Sequence, residues 1–342
     1  ETLSFTAIEN LVGGNGSDTF SFANVGSLTG NIDGGAGSDR LVGDDDGNTF
    51  DVTGTDVGTL TGKLNQWQNI ENLLGGTGED TFFLSANTLT GNLDGAGGVD
   101  TIAADNARNT FIISDVNTGT VTGVLGIFSN SENLIGNAQT DTFQFTNAGS
   151  LDGFIDGGAG IDTLTGDDKG NVFTVTATNS GTLDTKLTNF ANIDNLTGGT
   201  ASDTFTFSGG TVSGSIDGVD GNDLLIADNV VNQFTVTSIN SGTVTGVGGT
   251  FANIENLTGN AQADTFTLSG GTVSGSIDGV DGNDLLIADN VVNQFTIASN
   301  NGGTVTGVGG TFANIENLTG NAQTDTFTFS GGTVSGSIDG VD

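Results

Sequence analysis

Apolar and polar residues alternate along this chain in short runs. In one stretch the runs are Thr204-Phe205-Thr206-Phe207, Thr211 to Ile216, Leu224 to Ala227, Phe234-Thr235-Val236-Thr237, Thr243-Val244-Thr245 and Ile254 to Leu257. A period of two sends successive side chains to opposite faces of a strand, so each run predicts a short β-strand. Clusters of Gly, Asn and Asp separate the runs and supply the turns. Proline, which cannot donate to a ladder, is absent. No segment carries the helical period.

Landmarks in this pattern repeat. The Asn of Ile-Glu-Asn-Leu and its variants stands at Asn10, Asn72, Asn133, Asn195, Asn256 and Asn317, in steps of 61 or 62. The Asp of Ile/Leu-Asp-Gly follows the same step at Asp33, Asp94, Asp156, Asp217, Asp278 and Asp339. Residues 208–235 are identical to residues 269–296. A Gly-rich turn closed by Asp ends at Asp18, Asp39, Asp80, Asp100, Asp141, Asp162, Asp203, Asp223, Asp264, Asp284 and Asp325, at intervals of 20 or 21 alternating with 41. These intervals predict a coil of about 20 residues, three coils to a unit, two of them bearing the Asp turn. So short a coil cannot bury its own apolar face, but a stack of coils can. Phe205, Leu225 and Val244 are expected to lie above one another in a shared core. The expected fold is therefore all-β, a β-solenoid (parallel β-helix or β-roll). Residues 1–342 are expected to form one continuous array of about five and a half units, both ends falling inside a unit. Tandem sandwich modules need about 100 residues each and would lack the inner step.

Composition narrows the chemistry. The chain holds 59 Gly, 41 acidic and five basic residues, no His and no Cys, with a net charge of -36. Without His or Cys, no Ser-His-Asp triad, Cys-His pair or His/thiolate zinc site can form, and no enzyme activity is expected. Five bases cannot track a phosphate backbone, so nucleic acid is not an expected partner. No apolar run approaches the roughly 18 residues of a spanning helix, so no membrane insertion is expected.

What remains lies in the Gly-rich turns. Four match Gly-Gly-x-Gly-x-Asp-x-apolar in full. They supply Gly13, Gly14, Gly16 and Asp18; Gly34, Gly35, Gly37 and Asp39; Gly75, Gly76, Gly78 and Asp80; and Gly157, Gly158, Gly160 and Asp162. Degraded versions end at Asp100, Asp141, Asp203, Asp223, Asp264, Asp284 and Asp325, with extra carboxylates at Asp220 and Asp281. Glycine lets such a turn take positive φ and point its carbonyls inward. Asp adds a hard carboxylate, and Ca2+ takes about six to eight oxygens, backbone carbonyls included. Asp18 with Asp39, Asp80 with Asp100, and Asp141 with Asp162 are spaced for stacked turns to share an ion. The competing reading is that each Asp caps backbone N–H groups at a corner. Like charges on successive coils repel, and bound divalent ions would offset that.

The complete turns resemble the nonapeptide of the repeats-in-toxin (RTX) family. The whole chain resembles large repetitive bacterial adhesins of the RTX or filamentous-haemagglutinin-like type. This resemblance implies secretion, calcium-dependent folding outside the cell, and an extracellular or bacterial cell-surface location. It implies a role as fibre, biofilm matrix component or adhesin stalk. Its partners would be further copies of the same repeats, cell-surface glycans or other cells. The third coil departs from the family pattern, since it lacks an Asp turn. A ligand-binding adhesin module is the alternative. A polysaccharide-active or ice-binding solenoid fits less well, because nearly every acid belongs to the repeat and the Thr pairs fall at different points of the coil. Glu255 is expected to face water, Asn256 to bond backbone at a corner, and Trp67 to pack. Lys63, Lys169, Lys186, Arg40 and Arg108 read as ordinary surface positions.

Overall fold

A computed structural model describes residues 8–85 and 88–341. The ends of the expected array, residues 1–7 and Asp342, lie outside the described residues, as do residues 86–87. The described chain is built of short strands and turns with no helix. It divides into two compact bodies: residues 1–163 with 185–192, and residues 164–184 with 193–342.

In the first body the chain passes back and forth between two facing sheets. Leu11–Val12 and Leu28–Asp33 lie side by side in one sheet, with Leu11 paired in parallel to Ile32. The intervening Thr19–Ser21 and the following Arg40–Val42 lie in the other, with Phe20 paired to Leu41. Phe82 pairs with Ile102 in the same parallel manner. The second body repeats this, pairing Phe205 with Leu225 and Phe266 with Leu286. The β-solenoid expected from the 20-residue step is thus the fold of each body, in two-sheet form.

The third coil is different from the one expected. Val244 does not stack on Leu225. It sits opposite Phe234 in an antiparallel pair on the other sheet. Gln233–Ser238, Ser241–Val244 and Phe251–Ala252 form an antiparallel meander that stays on one face. The reason is two left-handed residues. Asn240 (φ 52°) and Gly246 (φ 92°) each reverse the chain, and Asn and Gly visit that region at least cost. In the first body, Asn117 (φ 49°) and Gly123 (φ 93°) do the same for the meander of Thr110–Asp115, Thr118–Val121 and Phe128–Ser129. The middle strand needs glycine. A Cβ on Gly119 would lie 2.0 Å from the Ile112 carbonyl oxygen, and one on Gly242 2.0 Å from that of Thr235.

A single meander in place of one full coil gives each unit an odd number of passes. The meander therefore changes sheets from one unit to the next. In the first body Thr49–Gly54, Val57–Leu60 and Leu64–Gln68 lie in the sheet of Leu28–Asp33, whereas Thr110–Asp115 lies in the other. In the second body the meanders starting at Gln233 and Gln294 alternate likewise.

The core lies between the sheets. Leu41, Phe82, Phe143, Phe205, Leu257 and Phe266 are among its fully buried side chains. Parallel register stacks Phe rings on neighbouring strands: Phe50 on Phe82 at 4.9 Å, Phe111 on Phe143 at 4.8 Å, and Phe234 on Phe266 at 4.6 Å. Each buried ring contributes about 1.5–3 kcal/mol by removing apolar surface from water. Trp67 is a core residue, with its ring packed against Gly58 where a Cβ would lie 2.4 Å away.

Candidate functional site

The Asp of each turn points into the solenoid. Asp39, Asp80, Asp100, Asp141, Asp162, Asp203, Asp223, Asp264 and Asp284 are all buried. Two features of the local sequence put them there. The apolar residue two places on enters the core, and the residue five places before the Asp is always glycine. That glycine admits the carboxylate. A Cβ on Gly95 would meet Asp100 Oδ2 at 2.3 Å, and one on Gly218 would meet Asp223 Oδ2 at 2.3 Å.

Inside, the carboxylates form columns of hydrogen bonds between neighbouring strands. In the second body the Asn232 N–H donates to Asp264 Oδ1, the Asp264 N–H to Asp284 Oδ1, and the Asp284 N–H to Glu316 Oε2. The first body carries the same column through Asn48, Asp80, Asp100 and Glu132. Asp18 donates to Asp39, and Asp141 to Asp162. The pairs singled out by spacing are thus joined directly, through backbone N–H donors.

Glu255 does not face water as expected. Its Oε2 accepts the Asp223 N–H and its Oε1 accepts Asn240 Nδ2. An unpaired N–H at the inner column needs an acceptor, and this Glu reaches it from the adjacent strand. Asn256 behaves as expected, accepting the Ser276 N–H and donating to the Asp223 carbonyl. Three further sets escaped the sequence reading. They are Asn48 and its equivalents in the columns, the left-handed Asn69 series, and the Asp33 series as part of the site, since the sequence offered that series only as a repeat landmark. Their signal was the same 61-residue recurrence, which marks scaffold and site alike.

The second carboxylate oxygen is treated differently from turn to turn, and Asp141 and Asp325 are among those whose Oδ2 is buried without a hydrogen-bond partner. Asp18, Asp203 and Asp264 fill Oδ2 with the N–H of the residue four places before: Gly14, Gly199 and Asn260. In the turns of Asp39, Asp100, Asp223 and Asp284 that residue is left-handed: Gly35 (φ 92°), Ala96 (φ 72°), Val219 (φ 72°) and Val280 (φ 73°). Its N–H goes instead to Asp33, Asp94, Asp217 or Asp278. These four Oδ2 atoms are buried without a hydrogen-bond partner. Beside each lies a backbone carbonyl of the Asn that closes the neighbouring meander. A Cβ on Gly34, Gly95, Gly218 or Gly279 would also meet the Asn69, Asn130, Asn253 or Asn314 oxygen at 1.9–2.2 Å.

Burial and crowding act on these acids. Burial pushes the Asp100, Asp223 and Asp284 carboxyls up to about 7, and neighbouring carboxylates add to the effect: Asp80, Glu132 and Asp94 around Asp100; Glu255, Asp203 and Asp217 around Asp223; Asp264, Glu316 and Asp278 around Asp284. Asp80 and Asp141 are raised by burial as well. Asp33 moves the other way, held down by hydrogen bonds from Asn69 and Gln68.

The donor chemistry fits a hard cation at Asp39, Asp100, Asp223 and Asp284. Each offers a buried, orphaned carboxylate oxygen beside a carbonyl oxygen, the ligand types Ca2+ takes. Asp203 and Asp264 have both carboxylate oxygens in hydrogen bonds, and Asp18 has its Oδ2 taken by Gly14. Asp220 and Asp281 are exposed, away from the columns. Among the described residues no group of three or more His, Cys, Asp or Glu side chains gathers as a metal site, so further ligands would come from backbone and water. No protein-family model matches the chain, and no curated protein is significantly similar to it.

Proposed function

We propose that this chain is a structural segment of an extracellular bacterial fibre or adhesin stalk, an RTX-type repeat solenoid stabilised by calcium. The observation that carries the reading is the use of the recurring acids. They serve the scaffold in the same way from unit to unit, joining neighbouring strands through buried columns. An enzyme concentrates its irregularities at one place; here the acids repeat. Calcium would be held by Asp39, Asp100, Asp223 and Asp284, where it would neutralise a buried oxygen that no N–H reaches. Export of an unfolded, cysteine-free chain followed by folding in calcium-rich surroundings suits this arrangement.

Calcium titrated into chelated protein tests the metal. The expected outcome is a rise in melting temperature and in the β-signal of far-UV circular dichroism. Unchanged curves on both would remove calcium from the proposal. Electron micrographs of the purified protein test the fibre, with long uniform filaments expected.

The ligand-binding alternative has one observation of its own. A trough of about 420 Å³ on the second body is lined by Ser202, Thr204, Asn222, Asn256, Ser276 and Asp278. Leu224 and Leu257 line it too, so a glycan would set its hydroxyls on the polar groups and a sugar face on the leucines. A glycan array probes it directly.

A further inference from the structure

We propose that Lys63 and Asp44 condense into an intramolecular amide, an isopeptide cross-link within the first body. The two side chains form an ion pair, 16% and 0% exposed. The backbone holds both in place. Lys63 sits at the second reversal of a meander, its N–H bonded to the Leu60 carbonyl and its own carbonyl to the Leu28 N–H. Asp44 sits at the corner entering that meander, its carbonyl bonded by Asn48 Nδ2, which also reaches Asp80. Groups held together in this way react as one molecule rather than two.

The chain's own repeats supply a control. Val124, Val247 and Val308 occupy the lysine's place in other units. There the equivalent acids Asp105, Asp228 and Asp289 are only half-buried, whereas Asp44 is buried. In sequence, the set Asp44, Asn48, Lys63 and Asp80 returns once as Asp167, Asn171, Lys186 and Asp203. Valine at this place shows that the fold does not need the base. A buried ion pair is itself a weak source of stability, because desolvation costs several kcal/mol per ion. Condensation removes both charges.

The step balances without a co-reactant. The Lys63 ammonium passes a proton to the Asp44 carboxylate, and the neutral Nζ attacks Cγ. A bond forms between Nζ and Cγ, and one Cγ–O bond breaks. The leaving oxygen departs as water with two of the three ammonium protons, and the amide nitrogen keeps the third. The low exposure of the pair slows the reverse hydrolysis. The product ties the corner to the meander by a covalent bond.

Mass spectrometry of the intact chain and its proteolytic peptides decides the matter. No base lies between Arg40 and Lys63, so the expected tryptic product runs uncut past Lys63 to Arg108 and is lighter by one water; a further cut after Phe50 by chymotrypsin opens it into a branched peptide joining the Asp44 and Lys63 segments. In Lys63→Arg the two segments should separate as linear peptides of full mass. The wild-type map is decisive even if that variant folds poorly. Lys63 recovered in a linear peptide with a free amine overturns the proposal, as does a water loss confined to Asp46-Gly47 within a linear peptide.

Discussion

The turns ending at Asp203 and Asp223 lie one coil apart and are joined by a hydrogen bond, yet they solve the same problem differently. At Asp203 the residue four places back is Gly199, whose N–H closes on Oδ2. At Asp223 it is Val219, held at φ 72°, whose N–H turns to Asp217 and leaves Oδ2 bare. The motif letters do not decide this. Gly35 leaves Asp39 bare and Val219 leaves Asp223 bare, although only the first belongs to a complete nonapeptide. The difference lies in the preceding strand. Only turns that follow Ile/Leu-Asp-Gly have an upstream carboxylate that draws off the N–H. An upstream Asp is one route to a bare oxygen, not the only one: Asp141 and Asp325 keep a bare Oδ2 behind left-handed Asn137 (φ 84°) and Asn321 (φ 94°) with no such Asp.

Acidity should act most strongly at the turns of Asp100, Asp223 and Asp284. Folded Asp100, Asp223 and Asp284 keep their protons to about pH 7, against an ordinary value of 3.8. Between those values the folded state binds more protons than the unfolded state, so stability falls as pH rises through the window and levels off above it. A displacement of that size is worth on the order of 4 kcal/mol per carboxyl. Thermal melts in chelator from pH 4 to pH 8 should show this fall, and Asp223→Asn should make it shallower by one carboxyl's share, with Asp100 and Asp284 still contributing. A melting temperature that rises across the window would contradict the assignment.

Next in size is Gly218→Ala. The new Cβ would meet the Asn253 carbonyl oxygen at 2.2 Å and Asp223 Oδ2 at 2.3 Å. Backbone cannot move aside there, and a loss of about 3 kcal/mol is expected in urea unfolding. An unchanged midpoint would show that the glycine is not the door through which the carboxylate enters.

The smallest effect tests the strained residue itself. Valine at positive φ costs about 1–2 kcal/mol, part of which glycine returns as chain entropy. Val219→Gly should therefore stabilise the protein by up to about 1 kcal/mol in the same assay. Destabilisation would mean that the half-exposed Val219 side chain packs more than its exposure implies.

Much of the fold was legible because strand period and coil length are written directly in the residues. Phe205 over Leu225 needs only alternation and a 20-residue step. The meander was not legible in the same way. Parallel and antiparallel strands share a period of two, so Thr243-Val244-Thr245 reads alike in either. The distinguishing signs were Asn240 and Gly246, two turn residues among many. The inward Asp was legible from its apolar neighbour two places on. Which carboxylate oxygen stays bare was not, since it depends on the backbone conformation four residues before the Asp, which Gly35, Asn137 and Val219 share despite different side chains.

The odd count of passes in each unit has a bearing on how such a chain can change length. Repeats this similar invite unequal recombination, and the twin segments 208–235 and 269–296 look like its product. Within a body, gain or loss of one unit would carry the surface residues that follow it to the opposite sheet. Gain or loss of two would leave the sides as they were. Genes of this kind should therefore grow and shrink in even steps wherever one side has acquired a task.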